Sequence, residues 1–208
     1  MPQQAAGGAP FLPFEARARA GGYRCIAGID EAGRGPLAGP VVAAAVILPA
    51  LVTLPGLQDS KQLTARQREH VYRQILRHAV AYGLGIVSPA HIDQQNILWA
   101  TKEAMWQAVQ GLGRVPDLLL IDGTASLPYP LPQWTLVRGD SRCASIAAAS
   151  VVAKVTRDRL MLAYAKRYPG YGFETHKGYP TVEHYRRLRL YGPCAIHRRS
   201  FRGVNVNL

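Results

Sequence analysis

Asp30 and Glu31 stand side by side immediately before Ala32-Gly33-Arg34-Gly35, Asp122 is followed by Gly123, and Asp140 lies within Arg138-Gly139-Asp140-Ser141. These are four of only 13 acidic residues in a chain of 208. Carboxylates brought together raise one another's pKa and are costly unless a cation compensates. Hard divalent ions with oxygen ligands are the usual answer, and Mg²⁺ suits a few carboxylates plus a substrate phosphate. Two such ions, roughly 3.5–4 Å apart, would clamp the attacking and leaving oxygens of a phosphodiester displacement. Taken singly, each aspartate reads equally well as a turn or helix cap, because Asp-Gly and Gly-Asp are common turn chemistry. The four together, in an otherwise basic protein, favour a metal site and point to a nuclease or strand transferase. Such chemistry needs no Ser/His or Cys/His pair, and none stands out.

The elements that must carry these acids follow from hydrophobic patterning. Strands are predicted over residues 23–30, 41–48, 82–87, 117–121 and 134–137. Asp30 and Asp122 then fall at strand ends, where open α/β sheets place their ligand crevice. Helices are predicted over about 11–20, from an N-cap at Thr64 to about Ala81, from Pro89 onward with a second part at 97–111, and over 144–167 and 181–191. The helix at 144–167 is small-sided in its first half (ASIAAASVVAK) and can approach a sheet closely. Three early strands followed by strands alternating with helices predict an α/β mixed sheet with helices on both faces. Residues 1–10 read as a disordered Gly/Ala/Pro-rich tail. With it, residues 1–20 form a tail and short helix, 21–168 the catalytic domain, and 169–208 a loop and basic helical extension.

Charge narrows the partner. Lys and Arg number 25, for a formal charge of +12, and residues 154–202 hold a net +9 of it. A surplus concentrated there suggests docking to a polyanion, nucleic acid first and anionic membrane second, although a solvated basic face reads the same way. Cys25, Cys143 and Cys194 are odd in number and lack CxxC spacing, so neither a disulfide framework nor a zinc ribbon is expected, and a cytoplasmic location is. No signal-peptide pattern is visible. The uncharged run from Gly35 to Gln58 is long enough to mimic a membrane span, but Pro36, Pro40, Pro49 and Pro55 break it into short pieces.

The segment Ile26–Pro40 (IAGIDEAGRGPLAGP) closely resembles the signature of ribonuclease HII. The resemblance continues through Asp59-Ser60-Lys61, Ile121-Asp122-Gly123, Gly139-Asp140, Ser145–Asp158 and His176-Lys177-Gly178-Tyr179, in the family's order. It implies an RNase H-like mixed five-stranded sheet flanked by helices, with a basic helical C-terminal extension. It implies hydrolysis of the RNA strand of RNA–DNA hybrids and nicking 5′ of single ribonucleotides in duplex DNA, leaving 5′-phosphate and 3′-hydroxyl ends. By position, Asp30, Glu31, Asp122 and Asp140 match the catalytic acids, which would hold two Mg²⁺ or Mn²⁺ ions with substrate bound. Gly33, Arg34 and Gly35 match the loop that contacts the 2′-OH at the RNA–DNA junction, and Tyr179 the tyrosine packing on the deoxyribose beyond it. From the short lead before the first motif, the chain is expected to differ from ribonuclease HIII, which carries an extra N-terminal domain.

Weaker candidates are Lys61 and Lys177, which could reach phosphates, and Ser145, a substrate contact, helix-surface residue or partner of Asp140. Lys154 shares the last two readings, and Asp158 is expected to pair with Arg157, Arg159 or another neighbour. His176, His184 and His197 are expected to be structural or phosphate-facing, because hard Mg²⁺ prefers oxygen. Arg186, Arg187, Arg189, Arg198 and Arg199 are candidates for gripping duplex backbone. A monomer acting on RNA–DNA hybrid and ribonucleotide-containing duplex DNA, without a membrane, is expected. The competing readings are a non-catalytic nucleic-acid-binding protein, which would be expected to have lost one of the four acids, and another RNase H-like nuclease with a different substrate.

Overall fold

The computed structural model of the protein describes residues 11 and 13–205; the predicted tail at 1–10 lies outside them. The element order is α1 (Phe14–Ala20), β1 (Ile26–Ala32), β2 (Val41–Ile47), α2 (Ala65–His78), β3 (Ala81–Val87), α3 (Pro89–Gln95) and α4 (Ile97–Gln110). It continues with β4 (Leu118–Asp122), β5 (Gln133–Leu136), a 3₁₀ turn at Gly139–Ser141, α5 (Ala144–Arg167), α6 (Phe173–His176) and α7 (Val182–Tyr191). The five strands form one sheet in the order β3-β2-β1-β4-β5. The three early strands pair antiparallel, and β4 and β5 add parallel to β1. This is the predicted mixed sheet.

The proline-bounded run centred on β2 is apolar throughout because both faces of that strand are covered. Val41, Ala43, Ala45 and Ile47 pack against α4, through Ala100, Ala104 and Ala108, and against Ile92 of α3. Ala44 and Val46 pack on the other face, against Val71 and Ile75 of α2 and Ala148–Val155 of α5. No helix among the described residues is long and apolar enough to cross a membrane.

Thr64 does cap α2, in a reciprocal capping box with Gln67. The helix stops at His78 rather than near Ala81, because Ala79 turns extended and Ala81 opens β3 opposite Ile47. The break between α3 and α4 falls at Asn96, whose side-chain Oδ1 accepts from the Leu98 and Trp99 N–H groups.

Gly28 decides how close α5 comes to the sheet. A Cβ on it would lie 2.2 Å from the Ser145 carbonyl carbon and 2.4 Å from the Ile146 nitrogen. The first turn of α5 therefore rests directly on β1, and the turn that precedes it, with Asp140, is carried to the C-terminal ends of β1 and β4.

Candidate active site

Alternation along β1 puts Ala27 and Ile29 on the α4 face and Ile26 on the α5 side; Asp30 shares the parity of Ile26. In β4 the same alternation gives Asp122 the parity of Leu118 and Leu120. The parallel pairing ends at Ile29–Ile121, so one further step sets Asp30 beside Asp122. Asp140 arrives from the 3₁₀ turn, pinned there because the Gly139 N–H donates to Asp122 Oδ1 at 2.6 Å. Glu31 follows Asp30, and its N–H donates to Asp30 Oδ1 at 2.7 Å. The four acids are thus delivered to one end of the sheet by two strand ends and one helix-entry turn.

Their electrostatics show the crowding. Burial holds the Asp30 carboxyl well above the usual carboxylate range, and the charges of Glu31 and Asp122 push it further, against a hydrogen bond from Ser150. Glu31 is also raised by burial, opposed by Arg34. Asp122 is raised by burial and then by Asp140. Two cations sit on the cluster: Lys61 Nζ donates to Asp140 Oδ2 at 3.0 Å, and Arg34 Nη1 to Glu31 Oε1 at 3.4 Å.

Among the described residues no three His, Cys, Asp or Glu side chains are gathered closely enough to hold an ion as they stand. Of the four, Asp140 pairs with Lys61 and Glu31 with Arg34. The donor set nevertheless fits a hard divalent ion, being all oxygen, partly buried and mutually destabilised in its charged form.

Beside the acids, residues 33–40 form a loop held from below by two arginines that are each 0% exposed. Arg157 of α5 donates to the carbonyls of Ala38 (3.0 Å), Pro40 (3.0 Å) and Lys177 (3.1 Å). Arg198 donates to the carbonyls of Gly33 (2.5 Å), Arg34 (2.9 Å) and Gly39 (3.0 Å). Neither meets a carboxylate among the described residues; backbone oxygens satisfy their donors. Burial lowers the pKa of both, Arg198 to about 9, which still leaves it charged near neutrality. Gly33 has φ +98°, and a Cβ there would fall 2.1 Å from Arg157 Nε; only glycine fits.

Arg157 also ties the loop to residues 176–179. The Leu37 N–H donates to the Gly178 carbonyl at 2.8 Å, and the Arg157 guanidinium lies 5.7 Å from the Tyr179 ring centre. Lys154 lies over the same ring at 5.9 Å. Tyr179 is 40% exposed, so it presents a free edge next to the Gly33–Gly35 loop's anchors. Lys177 adopts a left-handed backbone conformation and donates to the Glu174 carbonyl.

Two sequence expectations, for Arg198 and Ser145, are corrected. Arg198 cannot grip duplex backbone, because it is interior and fully engaged. Asp158 does form an ion pair, and of the neighbours expected for it the partner is Lys154 at 2.6 Å, with Arg68 at 3.8 Å, rather than Arg157 or Arg159. Ser145 is buried, and both its N–H (2.8 Å) and its hydroxyl (2.9 Å) donate to Glu15 Oε1. Glu15, overlooked in the sequence, caps α5 from a different helix; the signal was that Cys143 precedes α5 with no capping side chain of its own. Arg186 and Arg187 pair with Glu183, while Arg189 and Arg199 are exposed.

Replacing Arg198 by Lys tests the strut. An ammonium cannot reach three carbonyls set around a planar fork, so at least one stays buried and unpaired at roughly 1–3 kcal/mol. Arg198→Lys is expected to lower Tm by roughly 3–10 °C in calorimetry.

Three buried histidines lie behind Tyr179. Burial lowers His176, and it lowers His184 and His197 to about 4 each. Between pH 6.5 and about 4 the unfolded chain therefore binds protons that the folded chain refuses, and stability falls as pH falls through that window. His184 and His197 each contribute on the order of 3 kcal/mol to this loss, less because the two are coupled, and His176 adds in the same direction. Asp30, Glu31 and Asp122, with raised pKa values, act in the opposite sense, so the comparison is with His184→Asn. Urea midpoints measured between pH 7 and pH 4.5 are expected to fall more steeply for the wild type than for that variant.

Comparison with known proteins places these features in one family. Residues 27–204 match the model of the family described as Ribonuclease HII. The Ribonuclease HII of Syntrophotalea carbinolica is 56% identical over 197 residues, covering 95% of this chain and 94% of that protein. That of Geotalea uraniireducens is 57% identical over 194 residues, covering 93% and 90%. The crystal structure of the ribonuclease H2 from Pyrococcus horikoshii OT3 superposes with a TM-score of 0.74 at 27% identity, covering 87% of this chain and 95% of that one. The chain belongs to the ribonuclease HII family and is a ribonuclease H, a hydrolase.

Proposed function

We propose that, within the endoribonuclease activity on RNA–DNA hybrids that the family carries, this chain also nicks duplex DNA on the 5′ side of a single embedded ribonucleotide, leaving 5′-phosphate and 3′-hydroxyl ends. The observation that carries this reading is the convergence of Asp30, Glu31, Asp122 and Asp140 at one end of the sheet, beside a glycine loop anchored to the Tyr179 segment. These four residues would hold two Mg²⁺ or Mn²⁺ ions with substrate present. When bound, the ions supply positive charge to the phosphodiester oxygens and make an attacking water more acidic.

The chain's own groups do the selecting. Arg198 occupies the carbonyls of Gly33 and Arg34, so the loop is left to offer N–H groups to a ribose 2′-OH, whose oxygen accepts. The exposed edge of Tyr179 stacks on a sugar that lacks the 2′-OH and crowds one that has it. Lys61, on a long exposed side chain, is free to move from Asp140 to a substrate phosphate once the acids are neutralised. Arg189 and Arg199 remain for the duplex backbone. The protein acts as a monomer in the cytoplasm, where its three free thiols stay reduced.

The test is a labelled DNA duplex containing one ribonucleotide, incubated with Mg²⁺ and, separately, with EDTA. A metal-dependent cut at the phosphodiester 5′ to the ribonucleotide is expected; a cut on its 3′ side, or cleavage persisting in EDTA, would refute the reading. Tyr179→Ala is expected to lower kcat/KM on this duplex about tenfold more than on an all-RNA strand in a hybrid, roughly the 1.4 kcal/mol of one lost sugar contact.

A further inference from the structure

The chemistry above makes no use of His176, His184 or His197, yet all three are buried and joined to one another. Their protons can be assigned by working inward from backbone donors whose identity is certain. The Cys194 N–H donates to His197 Nδ1 at 3.0 Å, so that nitrogen is bare and the His197 proton is on Nε2. His197 Nε2 lies 3.0 Å from His184 Nε2, which must therefore accept. The His184 proton is then on Nδ1, where it is donated to the Tyr179 carbonyl at 2.9 Å. Separately, the Gly178 N–H donates to His176 Nδ1 at 3.1 Å, which leaves His176 Nε2–H for the Tyr171 carbonyl at 2.8 Å. The His176 and His184 rings stack with centroids 4.4 Å apart and an 18° interplanar angle.

One arrangement of protons satisfies every ring nitrogen. Reversing His184 would set two N–H groups against each other at the His197 contact and two acceptors against each other at Tyr179. Charging either ring would make both of its nitrogens donors, with the same conflict. The relay ends on the Tyr179 carbonyl, while His176, stacked on His184, takes the neighbouring Gly178 N–H. The carbonyl's other donor is the Thr181 N–H at 2.9 Å, which is local to the turn. His184 and His197 instead connect it to residues 194–198, and so to Arg198, which holds the Gly33 and Arg34 carbonyls.

We infer that the His197–His184 relay is a positioning device for Tyr179, locking its peptide to the segment whose Arg198 holds the Gly33–Gly35 loop, so that ring and loop keep a fixed separation across the RNA–DNA junction. This rests on the reading of Tyr179 as the junction-sensing ring. His184 and His197 are positioning residues and touch no substrate. The relay sets how sharply one embedded ribonucleotide is distinguished from a run of RNA.

Two measurements test it. Long-range ¹⁵N–¹H correlation spectra of the wild-type protein at neutral pH should show His184 as the Nδ1–H tautomer and His176 and His197 as Nε2–H; an Nε2–H or doubly protonated His184 would overturn the relay without any variant having to fold. The second is the ratio of kcat/KM on the one-ribonucleotide duplex to kcat/KM on an RNA–DNA hybrid. His184→Ala should lower that ratio by about tenfold, His184→Asn, which keeps an N–H at the δ position, should restore most of it, and adding His184→Ala to Tyr179→Ala should lower it no further. A ratio unchanged in His184→Ala while Tyr179→Ala collapses it would overturn the positioning role alone. A ratio unchanged in Tyr179→Ala would instead refute the junction reading, and the inference would fall with it.

Discussion

Asp30→Asn is expected to reduce cleavage on the order of 10³-fold or more, equivalent to about 4 kcal/mol of transition-state stabilisation, while duplex binding holds within a few-fold. Asp30 is 4% exposed and sits where β1 ends beside β4. Burial first, and then its neighbours Glu31 and Asp122, raise its pKa, so this aspartate stands where a negative charge is most costly. Stability alone would favour a neutral side chain there. Asn keeps the shape and can still accept from the Glu31 N–H, but it removes the one charge that a divalent ion needs at the centre of the cluster. The variant is therefore expected to be as stable as the wild type or more so, and to be inactive. Single-turnover cleavage with thermal melting on the same samples checks both halves. Wild-type turnover in Asp30→Asn would remove Asp30 from the site.

The second large effect is on the fold. Gly28→Ala would place a methyl group 2.2 Å from the Ser145 carbonyl carbon, with backbone rather than a flexible side chain in the way. The conflict can be relieved only by lifting the start of α5 off β1. Overpacking of this kind costs about 1–3 kcal/mol and more when the backbone must move, which lowers Tm by roughly 6–12 °C for about 3 kcal/mol in a chain of this size. Lifting α5 also shifts the Gly139–Ser141 turn, so the Asp140–Lys61 contact and the Gly139 N–H bond to Asp122 should loosen together. Activity measured well below the melting transition is expected to fall along with stability. A variant as stable and active as the wild type would show that α5 does not need the close approach.

The strands and the long helices were legible because their signals are local. The apolar run of β2 reads as a doubly covered strand, and Thr64 with Gln67 reads as a capping box, before any fold is known. The four acids were legible because carboxylates are scarce in so basic a chain. What lay outside the sequence was the direction of long side chains. Arg198 stands in a basic segment and is indistinguishable by composition from the exposed Arg199, yet one is interior and the other outside. Arg157 flanks Asp158, which suggests an ion pair, but on a helix adjacent residues point apart and α5 turns Arg157 toward the loop. Glu15 caps α5 across a separation of 130 residues, and no local pattern announces such a partner. The expectation that the three histidines are structural or phosphate-facing was open as to what they support, since ring tautomers are set only by neighbours brought together in the fold.

The most direct test of the account is sulfur substitution at the scissile phosphate, 5′ to a single ribonucleotide in duplex DNA, with cleavage compared in Mg²⁺ and in Mn²⁺. Replacing one non-bridging oxygen by sulfur should slow cleavage about tenfold or more in Mg²⁺ and much less in Mn²⁺, because the softer ion tolerates sulfur where a hard one does not. That rescue would put a metal ion held by Asp30, Glu31, Asp122 and Asp140 on the reacting phosphate. The same sulfur penalty in both ions, for both diastereomers, would contradict the assignment of these four carboxylates to a metal-dependent hydrolytic site.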